Sequence, residues 1–473
     1  MIRRLDGRRA AANRSFCAFA LFLATLGGLG CGEVFRPIAQ PIPLPSPNPA
    51  AAHFVASVSS NGVSARGALS RIDVSGDSVA SVIAAGVAPV AAALTANGGK
   101  IYVANSGEDT ISASSASGFG PATTIALPQL CDASGCAGSR PVFAATTENA
   151  RMYVANAGNG TISVINTTSD VVVATVPVDP AFAASPQPLP NRTASPVALT
   201  ETRDGSKIYA VNQGSGTVTS ISTVDDTVLK VISVAASPVW AVSRSDSARV
   251  YVLDSRGTIS VIDTLSDTVI SSSASAGAGA NFMFYDTVLN RLYVTSPALG
   301  QVAIFDVSGD PPRPVTTSPV AISVAPSSLC TQAPVPVAVT VLADGSRAYV
   351  AAYQRDPSGS VCTQASVIDS GTGMVTKVIP ISESMEVAQT GCPLARFRVF
   401  AASSGGGTNA NFKVYVSQCD AGSVAIIDTF AVNGGPDPHS SDMVMATLNA
   451  PLSSFPGNLV PPPQNPVFLA AGP

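Results

Sequence analysis

Hydrophobic residues after position 53 occur in short runs separated by polar turns. The runs are roughly four to eight residues long and rich in Val and Ile, and many alternate apolar with polar positions, as TISVI does at 161–165 and 258–262. This period of two is typical of β-strands that bury one face. The turns are rich in Gly, Asn and Asp, which accept a positive φ easily. The pattern predicts an all-β chain and no amphipathic helix after residue 31.

A six-residue phrase with a central tyrosine recurs seven times. It reads KIYVAN at 100–105, and successive tyrosines are 42 to 66 residues apart. Each copy belongs to a unit of four strands: an apolar run that often begins at Pro, the Tyr strand, a run such as TISVI, and a Val-rich run. Four-stranded sheets that repeat about every 40–45 residues are the signature of a β-propeller. The tyrosines are Tyr102, Tyr153, Tyr209, Tyr251, Tyr293, Tyr349 and Tyr415.

The phrase YVAN, with its partner GTISVI, resembles the repeats of the YVTN-repeat (YncE-like) β-propeller family. The resemblance covers roughly residues 53–471 and implies one propeller domain of four-stranded antiparallel blades. Most members of that family are extracytoplasmic or surface propellers whose ligands are poorly defined. The resemblance therefore implies a fold and an envelope location, but no particular chemistry.

The ends of the domain predict how the ring closes. Residues 53–88 contain equivalents of the second, third and fourth strands but no first strand, and the apolar run PVFLA at 466–470 looks like a first strand without successors. An open ring would expose unpaired sheet edges, so we expect the C-terminal strand to complete the N-terminal blade. This composite blade and the seven tyrosine units make eight blades. Seven, the number typical of the family, is the alternative.

The first 52 residues read as an export signal and a tether. Five arginines precede an apolar stretch at 16–29, which is typical of a signal peptide over residues 1–30. The run LGGLGC at 26–31 resembles a bacterial lipoprotein signal and implies lipidation of Cys31, although Gly28 stands where a branched residue is usual. Alternatives are ordinary cleavage or a retained membrane helix. The Pro-rich segment that follows, within 31–52, predicts an extended spacer.

Composition and charge narrow the function classes. Only 12% of the 473 residues are charged, about half the usual share. Removing residues 1–30 takes away five arginines and one aspartate, which leaves a formal net charge of −8. An acidic chain without a dense basic run is a poor ligand for nucleic acid. Nucleic acid is therefore not an expected partner. We expect a monomer that contacts the membrane through its lipid anchor alone.

Six cysteines remain after Cys17 and Cys31 are set aside. An even number in an exported chain favours disulfides, and six cysteines allow fifteen pairings. The repeat frame restricts them. Cys330 and Cys362 precede the first strand and follow the second strand of one unit, and Cys392 and Cys419 do so in the next, so each pair would meet on one face. Cys131 and Cys136 can close locally. A metal site is the alternative.

The face that carries these cysteines also collects the long insertions, at 127–140, 179–194, 326–333, 353–364 and 382–394. Binding sites often lie on such loops; the alternative is that the loops merely cover the channel mouth. Only two histidines are present, and no motif of a hydrolase or of a metal or phosphate site appears. Glu383 and Glu386 are a possible Ca²⁺ pair or a solvated loop face, and Trp240 is expected in the core.

These observations predict an exported, lipid-anchored protein of the periplasm, outer membrane or cell surface. Its expected role is a non-catalytic scaffold that binds a protein, peptide or glycan through the disulfide-bearing loops, with no catalytic residue, metal or cofactor. The alternative is an extracytoplasmic propeller enzyme, a lactonase or other hydrolase or a redox-partner subunit, that uses carboxylates at the channel mouth.

Overall fold

Eight four-stranded antiparallel sheets form a closed ring in this protein, whose structure is a computed structural model. Each sheet is one blade, and the eighth confirms the larger of the two expected blade numbers. The residues that the structure describes are 53–118, 120–132, 135–147, 150–178, 194–326, 329–387, 392, 398–404, 413–429, 442–449 and 464–472.

Blades 1 to 4 occupy the first half of the chain. In each of them the strands follow one another from the channel outwards, except that the innermost strand of blade 1 comes from the C-terminal end. Blade 1 contains β1 (Phe54–Ser59), β2 (Arg66–Asp73), β3 (Ser78–Val87) and, innermost, β35 (Pro466–Gly472); blade 2 contains β4 (Pro89–Leu94), β5 (Lys100–Asn105), β6 (Thr110–Ser115) and β7 (Thr123–Ala126). Two short strands, β8 (Leu130–Asp132) and β9 (Gly135–Ala137), form a separate hairpin; blade 3 contains β10 (Pro141–Thr147), β11 (Arg151–Asn156), β12 (Thr161–Asn166) and β13 (Val171–Pro177); blade 4 contains β14 (Pro196–Glu201), β15 (Lys207–Asn212), β16 (Thr217–Ser222) and β17 (Val228–Ser233).

Blades 5 to 8 follow in the same order, and in blade 6 the outer strand is broken into two short pieces. Blade 5 contains β18 (Pro238–Ser243), β19 (Arg249–Asp254), β20 (Thr258–Asp263) and β21 (Thr268–Ser275); blade 6 contains β22 (Phe282–Asp286), β23 (Arg291–Ser296), β24 (Gln301–Asp306), β25 (Arg313–Pro314) and β26 (Val320–Ala321). Blade 7 contains β27 (Val335–Val341), β28 (Arg347–Arg355), β29 (Ser360–Asp369) and β30 (Met374–Met385); blade 8 contains β31 (Val399–Ser403), β32 (Lys413–Gln418), β33 (Ser423–Asp428) and β34 (Met443–Leu448).

The ring is closed by the two ends of the described chain, as the sequence predicts. β35 pairs antiparallel with β1, and the register places Val55 opposite Ala471 and Val58 opposite Phe468. The inner strands of neighbouring blades then contact one another all the way round, from β35 to β4, β10, β14, β18, β22, β27, β31 and back to β35. The inner edge of each blade is therefore packed against the inner strands of its neighbours, which is how a propeller protects strand edges that it does not pair.

A short 3-10 helix, Pro297–Leu299, is the one helical segment among the described residues. Nothing in that part of the chain is a helix of the length and apolarity needed to cross a bilayer.

Seven buried tyrosines connect neighbouring blades. Each lies in the second strand of blades 2 to 8 and is fully buried. In five blades its hydroxyl donates to an aspartate in the turn between the third and fourth strands of the next blade. In blade 4, for example, the Tyr209 hydroxyl lies 2.5 Å from Asp267 Oδ1, and the Lys207 ammonium lies 2.7 Å from Asp267 Oδ2. We call each such tyrosine, the basic residue two positions before it and the aspartate a latch.

The turn geometry explains why aspartate is used in the latch. Asp77, Asp170, Asp226 and Asp267 all have φ between 48° and 58°, in the left-handed region. Asp is among the few residues with a side chain that visit this region readily. One residue therefore makes the tight turn and also accepts hydrogen bonds from the preceding blade.

The latch weakens or is replaced at three of the eight blade boundaries. At the boundary between blades 5 and 6 Arg249 pairs with Asp310 at 2.6 Å, but Tyr251 donates to a backbone carbonyl, that of Val307. Blade 7 has Gly373, with φ 70°, at the aspartate position. Blade 1 has Ala56 at the tyrosine position, and the corresponding turn of blade 2 contains no aspartate. Both sides of the latch are therefore missing together at the boundary between blades 1 and 2.

Candidate interaction face

The two faces of the ring are built from different connections. One carries the turns between the first and second and between the third and fourth strands of each blade, and the latches lie there; we call it the latch face. The other carries the turns between the second and third strands and the connections between blades; we call it the disulfide face. His53, the first described residue, lies at the latch face, where its N–H donates to the carbonyl of Gly472.

Three disulfides lie on the disulfide face, and they join the pairs that the repeat frame predicts: Cys131 with Cys136, Cys330 with Cys362, and Cys392 with Cys419. The first bridge crosses the exposed β8–β9 hairpin between directly opposed residues. The four cysteines of the other two bridges are at most 4% exposed. These two bridges therefore tie connections between blades to the sheets beneath them, while the first belongs to the surface.

Blade 7 rises above its neighbours on this face. Its strands β28, β29 and β30 contain 9, 10 and 12 residues, whereas β32, β33 and β34 of blade 8 contain six each. The predicted insertion at 353–364 is therefore mostly an extension of the sheet rather than a loop. Cys362 is the third residue of β29, not a residue of the turn. We call the part of blade 7 formed by residues 353–364 and 381–385 the crest.

Side chains and a disulfide hold the connection between blades 6 and 7 against the crest. Gln364, only 2% exposed, accepts a hydrogen bond from the N–H of Ala325 and donates to the carbonyl of Ser323. The side chain of Gln354 donates to the same Gln364 oxygen. Nearer the tip of the crest, the Glu383 carboxylate accepts the N–H of Leu329 at 2.8 Å, next to Cys330. The connection is thus fixed at several points over a short distance.

A charged cluster joins the crest to blade 8. Arg398, 6% exposed, contacts Asp420 at 2.5 Å and Glu386 at 3.2 Å, and its guanidinium lies over the ring of Tyr353 at 5.6 Å. Arg355 also pairs with Glu386, and its hydrogen bond holds the pKa of that carboxyl below the ordinary value. The positive and negative groups balance, so this cluster links the crest to blade 8 without creating a field of one sign.

The end of the channel near the disulfide face is filled by aromatic rings. Trp240 lies 5.2 Å from Phe143 and 4.7 Å from Phe282, and Phe400 lies 5.7 Å from Phe282 and 4.5 Å from Phe468, measured between ring centres. All five occupy one level of the inner strands. Phe143 and Trp240 belong to blades 3 and 5, which are not neighbours, so their rings meet across the inner strand of blade 4. Trp240 is 8% exposed, in the core as expected.

Carboxylates near the axis are few in the described inner strands. Glu201 ends β14, and Asp286 ends β22, on the side of the latch face. One oxygen of Asp286 accepts the N–H groups of Val288 and Leu289, and burial raises the pKa of this carboxyl. The two acids therefore lie at the opposite end of the channel from the disulfide face, below the aromatic rings.

The two glutamates considered as a Ca²⁺ pair have separate partners. Glu383 holds the backbone of Leu329, and Glu386 holds Arg355 and Arg398. Because they lie three positions apart on and after a strand, their side chains leave it on different sides. Within the described ranges, no three His, Cys, Asp or Glu side chains gather closely enough to hold a metal ion. Cys31 and the predicted signal and tether fall outside the described residues.

The chain resembles several solved structures at low identity. Hydrazine synthase of Kuenenia stuttgartiensis is 18% identical, with 62% of this chain and 78% of that chain covered and a TM-score of 0.46. A putative 6-phosphogluconolactonase from Bacteroides uniformis is 15% identical, with 71% of this chain and 100% of that chain covered and a TM-score of 0.48. Streptogramin B lyase is 12% identical, with 69% of this chain and 89% of that chain covered and a TM-score of 0.46.

Comparison with known protein families finds no match, and comparison with curated proteins finds none either. The assignment as an eight-bladed propeller therefore rests on the blades of this chain itself.

Proposed function

We propose that this protein is a non-catalytic scaffold of the cell envelope that binds a protein, peptide or glycan through its disulfide face, and that it belongs to the YVTN-repeat (YncE-like) propellers. The observation that carries the proposal is the contrast between the faces. On the disulfide face, extensions found in single blades are pinned by disulfides and side chains, and rigid loops on a scaffold are where recognition residues usually lie.

Export and anchoring fit this proposal. Three disulfides are consistent with an oxidising compartment outside the cytoplasm. If Cys31 carries the lipid, the tether enters the propeller at His53, on the latch face. The disulfide face would then be the end of the propeller opposite the point of attachment. Labelling of cells with a palmitate analogue should tag the wild-type protein, and a Cys31→Ser variant should lose the tag; equal labelling would refute anchoring at this residue.

The binding role is tested by photo-crosslinking from one face at a time. A photo-crosslinking amino acid is placed at Ser358, in the exposed turn of the crest, or at Ser266, in an exposed turn of the latch face. Illumination of intact envelopes should give discrete crosslinked species from position 358 and not from position 266. Discrete species from position 266 alone would contradict the proposal.

The alternative, an enzyme with carboxylates at the channel mouth, has less support. Aromatic rings occupy the channel near the disulfide face, and Glu201 and Asp286 lie toward the other end. If the enzyme reading holds, substrate enters from the latch face. Turnover of lactone or ester substrates that is abolished by Glu201→Gln, with the melting temperature unchanged, would replace the scaffold proposal by this one.

A further inference from the structure

The two sides of the crest differ in what they contact. Cys362 and Glu383 are directly opposite one another in the pairing of β29 with β30, so their side chains share one side of the sheet. Both reach the connection that comes from blade 6, through the disulfide to Cys330 and the hydrogen bond to Leu329. Ser382, on the other side, donates to Gln418 of blade 8. Only the first side borders open surface, because blade 8 covers the second.

A pocket of about 320 Å³ lies on this open side. It is lined by Ala325, Cys362, Gln364, Ile381, Glu383 and neighbouring strand residues.

Large apolar side chains stand exposed on the residues around the pocket. Leu329 is 77% exposed, and Met385, two positions after Glu383 and on the same side of β30, is 67% exposed; Val324, next to the pocket residue Ala325, is 41% exposed. A concave site with a few fixed polar groups and apolar surroundings is the usual form of a ligand pocket.

The outer edge of the crest is also open. β30 is the outermost strand of blade 7, and within the described residues no further strand pairs with it. Its lower part carries Lys377 and Pro380, the residue types that proteins use to block edge pairing. The segment 381–385, ISESM, has neither Lys nor Pro. The main chain of these residues can accept another strand.

We propose that residues 381–385 bind an extended peptide segment of a partner protein as a fifth strand of blade 7. This proposal rests on the proposed function and names the kind of partner. Alternate residues of the peptide would lie on the open side of the crest. The surface favours a peptide with a basic residue opposite Glu383. Two positions away, the peptide would carry a large apolar residue that lies beside Met385 or the pocket. The acidic net charge of −8 without residues 1–30 also favours a basic segment.

The test uses a display library of random twelve-residue peptides, selected on the protein without residues 1–30 and with its disulfides intact. The peptides enriched should share an apolar residue and a Lys or Arg two positions apart. Glu383→Gln keeps an oxygen for the Leu329 N–H but removes the charge, and we expect it to weaken binding of the enriched peptides at least tenfold. Glu386→Gln, which removes the nearby charge from the other cluster, is the matched control and should change binding less than twofold.

Strand addition is tested separately by N-methylation of the best peptide. Two peptides are made, each methylated at alternate residues, with the two sets offset by one residue. Methylation of the N–H groups that face β30 should abolish binding, whereas methylation of the N–H groups that face away should change the affinity less than threefold. Equal effects in the two methylated peptides, equal binding by the Glu383→Gln protein, or no enriched peptide would overturn the proposal. If crosslinking at position 358 still finds a partner in these cases, the scaffold role survives without this site. If crosslinking also fails, both proposals fall.

Discussion

The latch face and the disulfide face of this ring differ in how often each feature is repeated. On the latch face the same three residue types recur from blade to blade, and five of the eight blade boundaries have the complete latch. On the disulfide face the crest, the β8–β9 hairpin and the charged cluster each occur once. Repeated residues hold the ring together, and residues that depart from the repeat are those to examine for function.

The largest effect is expected from removal of the closing strand. Deletion of residues 464–473 exposes the inner edge of β1 and removes four buried apolar side chains, those of Val467, Phe468, Leu469 and Ala471. At about 1.5–3 kcal/mol for each large side chain, the loss approaches the whole stability of a domain. We expect the deletion to lower the melting temperature by more than 15 °C or to prevent folding.

A synthetic peptide of residues 464–473 added in trans should recover part of the lost stability. An unchanged melting temperature of the deleted protein would show that β35 does not close the ring.

Alkaline pH should break all the latches together. Burial raises the pKa of Tyr251 and Tyr293, the two tyrosines that are not part of a latch, to about 12. Burial together with a neighbouring aspartate raises the pKa of the latch tyrosines, such as Tyr209 and Tyr349, further. Because the folded protein holds these protons more tightly than the unfolded chain, stability is fully present below pH 10 and is lost as pH rises above it. Tyr251 and Tyr293, the two tyrosines with the smaller pKa increase, each contribute about 3 kcal/mol to this loss of folding free energy.

Absorbance at 295 nm and circular dichroism should therefore change together, in one steep transition above pH 10. Independent titration of most tyrosines near pH 10, with the fold retained, would contradict the buried latches.

A single latch should be worth a few kcal/mol. Asp267→Ala leaves the hydroxyl of Tyr209 without its acceptor and removes the carboxylate from the ammonium of Lys207, which keeps only the carbonyl of Thr264, in a nearly buried site. Breaking a buried ion pair in this way costs about 3–5 kcal/mol, and partial solvent access should bring the value to about 2–4. Asp225→Ala, in the equivalent exposed turn of blade 4, is the control and should cost less than about 0.5 kcal/mol. Urea denaturation monitored by fluorescence of Trp240 measures both, and equal values would contradict the latch.

The disulfides should rank by the length of chain that they close. The Cys330–Cys362 and Cys392–Cys419 bridges close separations of 32 and 27 residues, which corresponds to about 3.5 kcal/mol each in a chain-entropy estimate, against about 2 for the separation of 5 between Cys131 and Cys136. Paired Cys→Ser variants test the order by their denaturation midpoints. A larger loss for the Cys131–Cys136 pair would mean that its hairpin supports the ring.

Sequence patterns predicted the repeated part of the molecule well. The spacing of the tyrosine phrases predicted the number of blades, and the missing first strand before Phe54 predicted closure of the ring by the C-terminal strand. Both predictions follow from local strand patterns. The same frame paired Cys330 with Cys362. The latch was missed, although its residues repeat, because its two halves belong to consecutive units. Comparing Lys207 and Tyr209 of one unit with Asp267 of the next would have revealed it.

The unrepeated features were less accessible to sequence analysis. Residues 353–364 were expected as a loop and extend two strands instead, because their pairing depends on the length of the partner strand β30. The aromatic filling of the channel comes from Phe143, Trp240 and Phe400 in different blades, and a contact between blades that are not neighbours leaves no spacing in the sequence.

The pairing of Val55 with Ala471 makes the ring the last feature that the chain can complete. The two residues are separated by more than 400 positions, and the cost of bringing distant segments together is met before their contacts stabilise anything. Blades 2 to 8 are each local in sequence, whereas blade 1 requires a strand from either end. A chain shortened at this end by an early stop or by a protease would therefore contain the strands of most blades and still be unable to close the circle, so only a chain that retains β35 forms the stable ring.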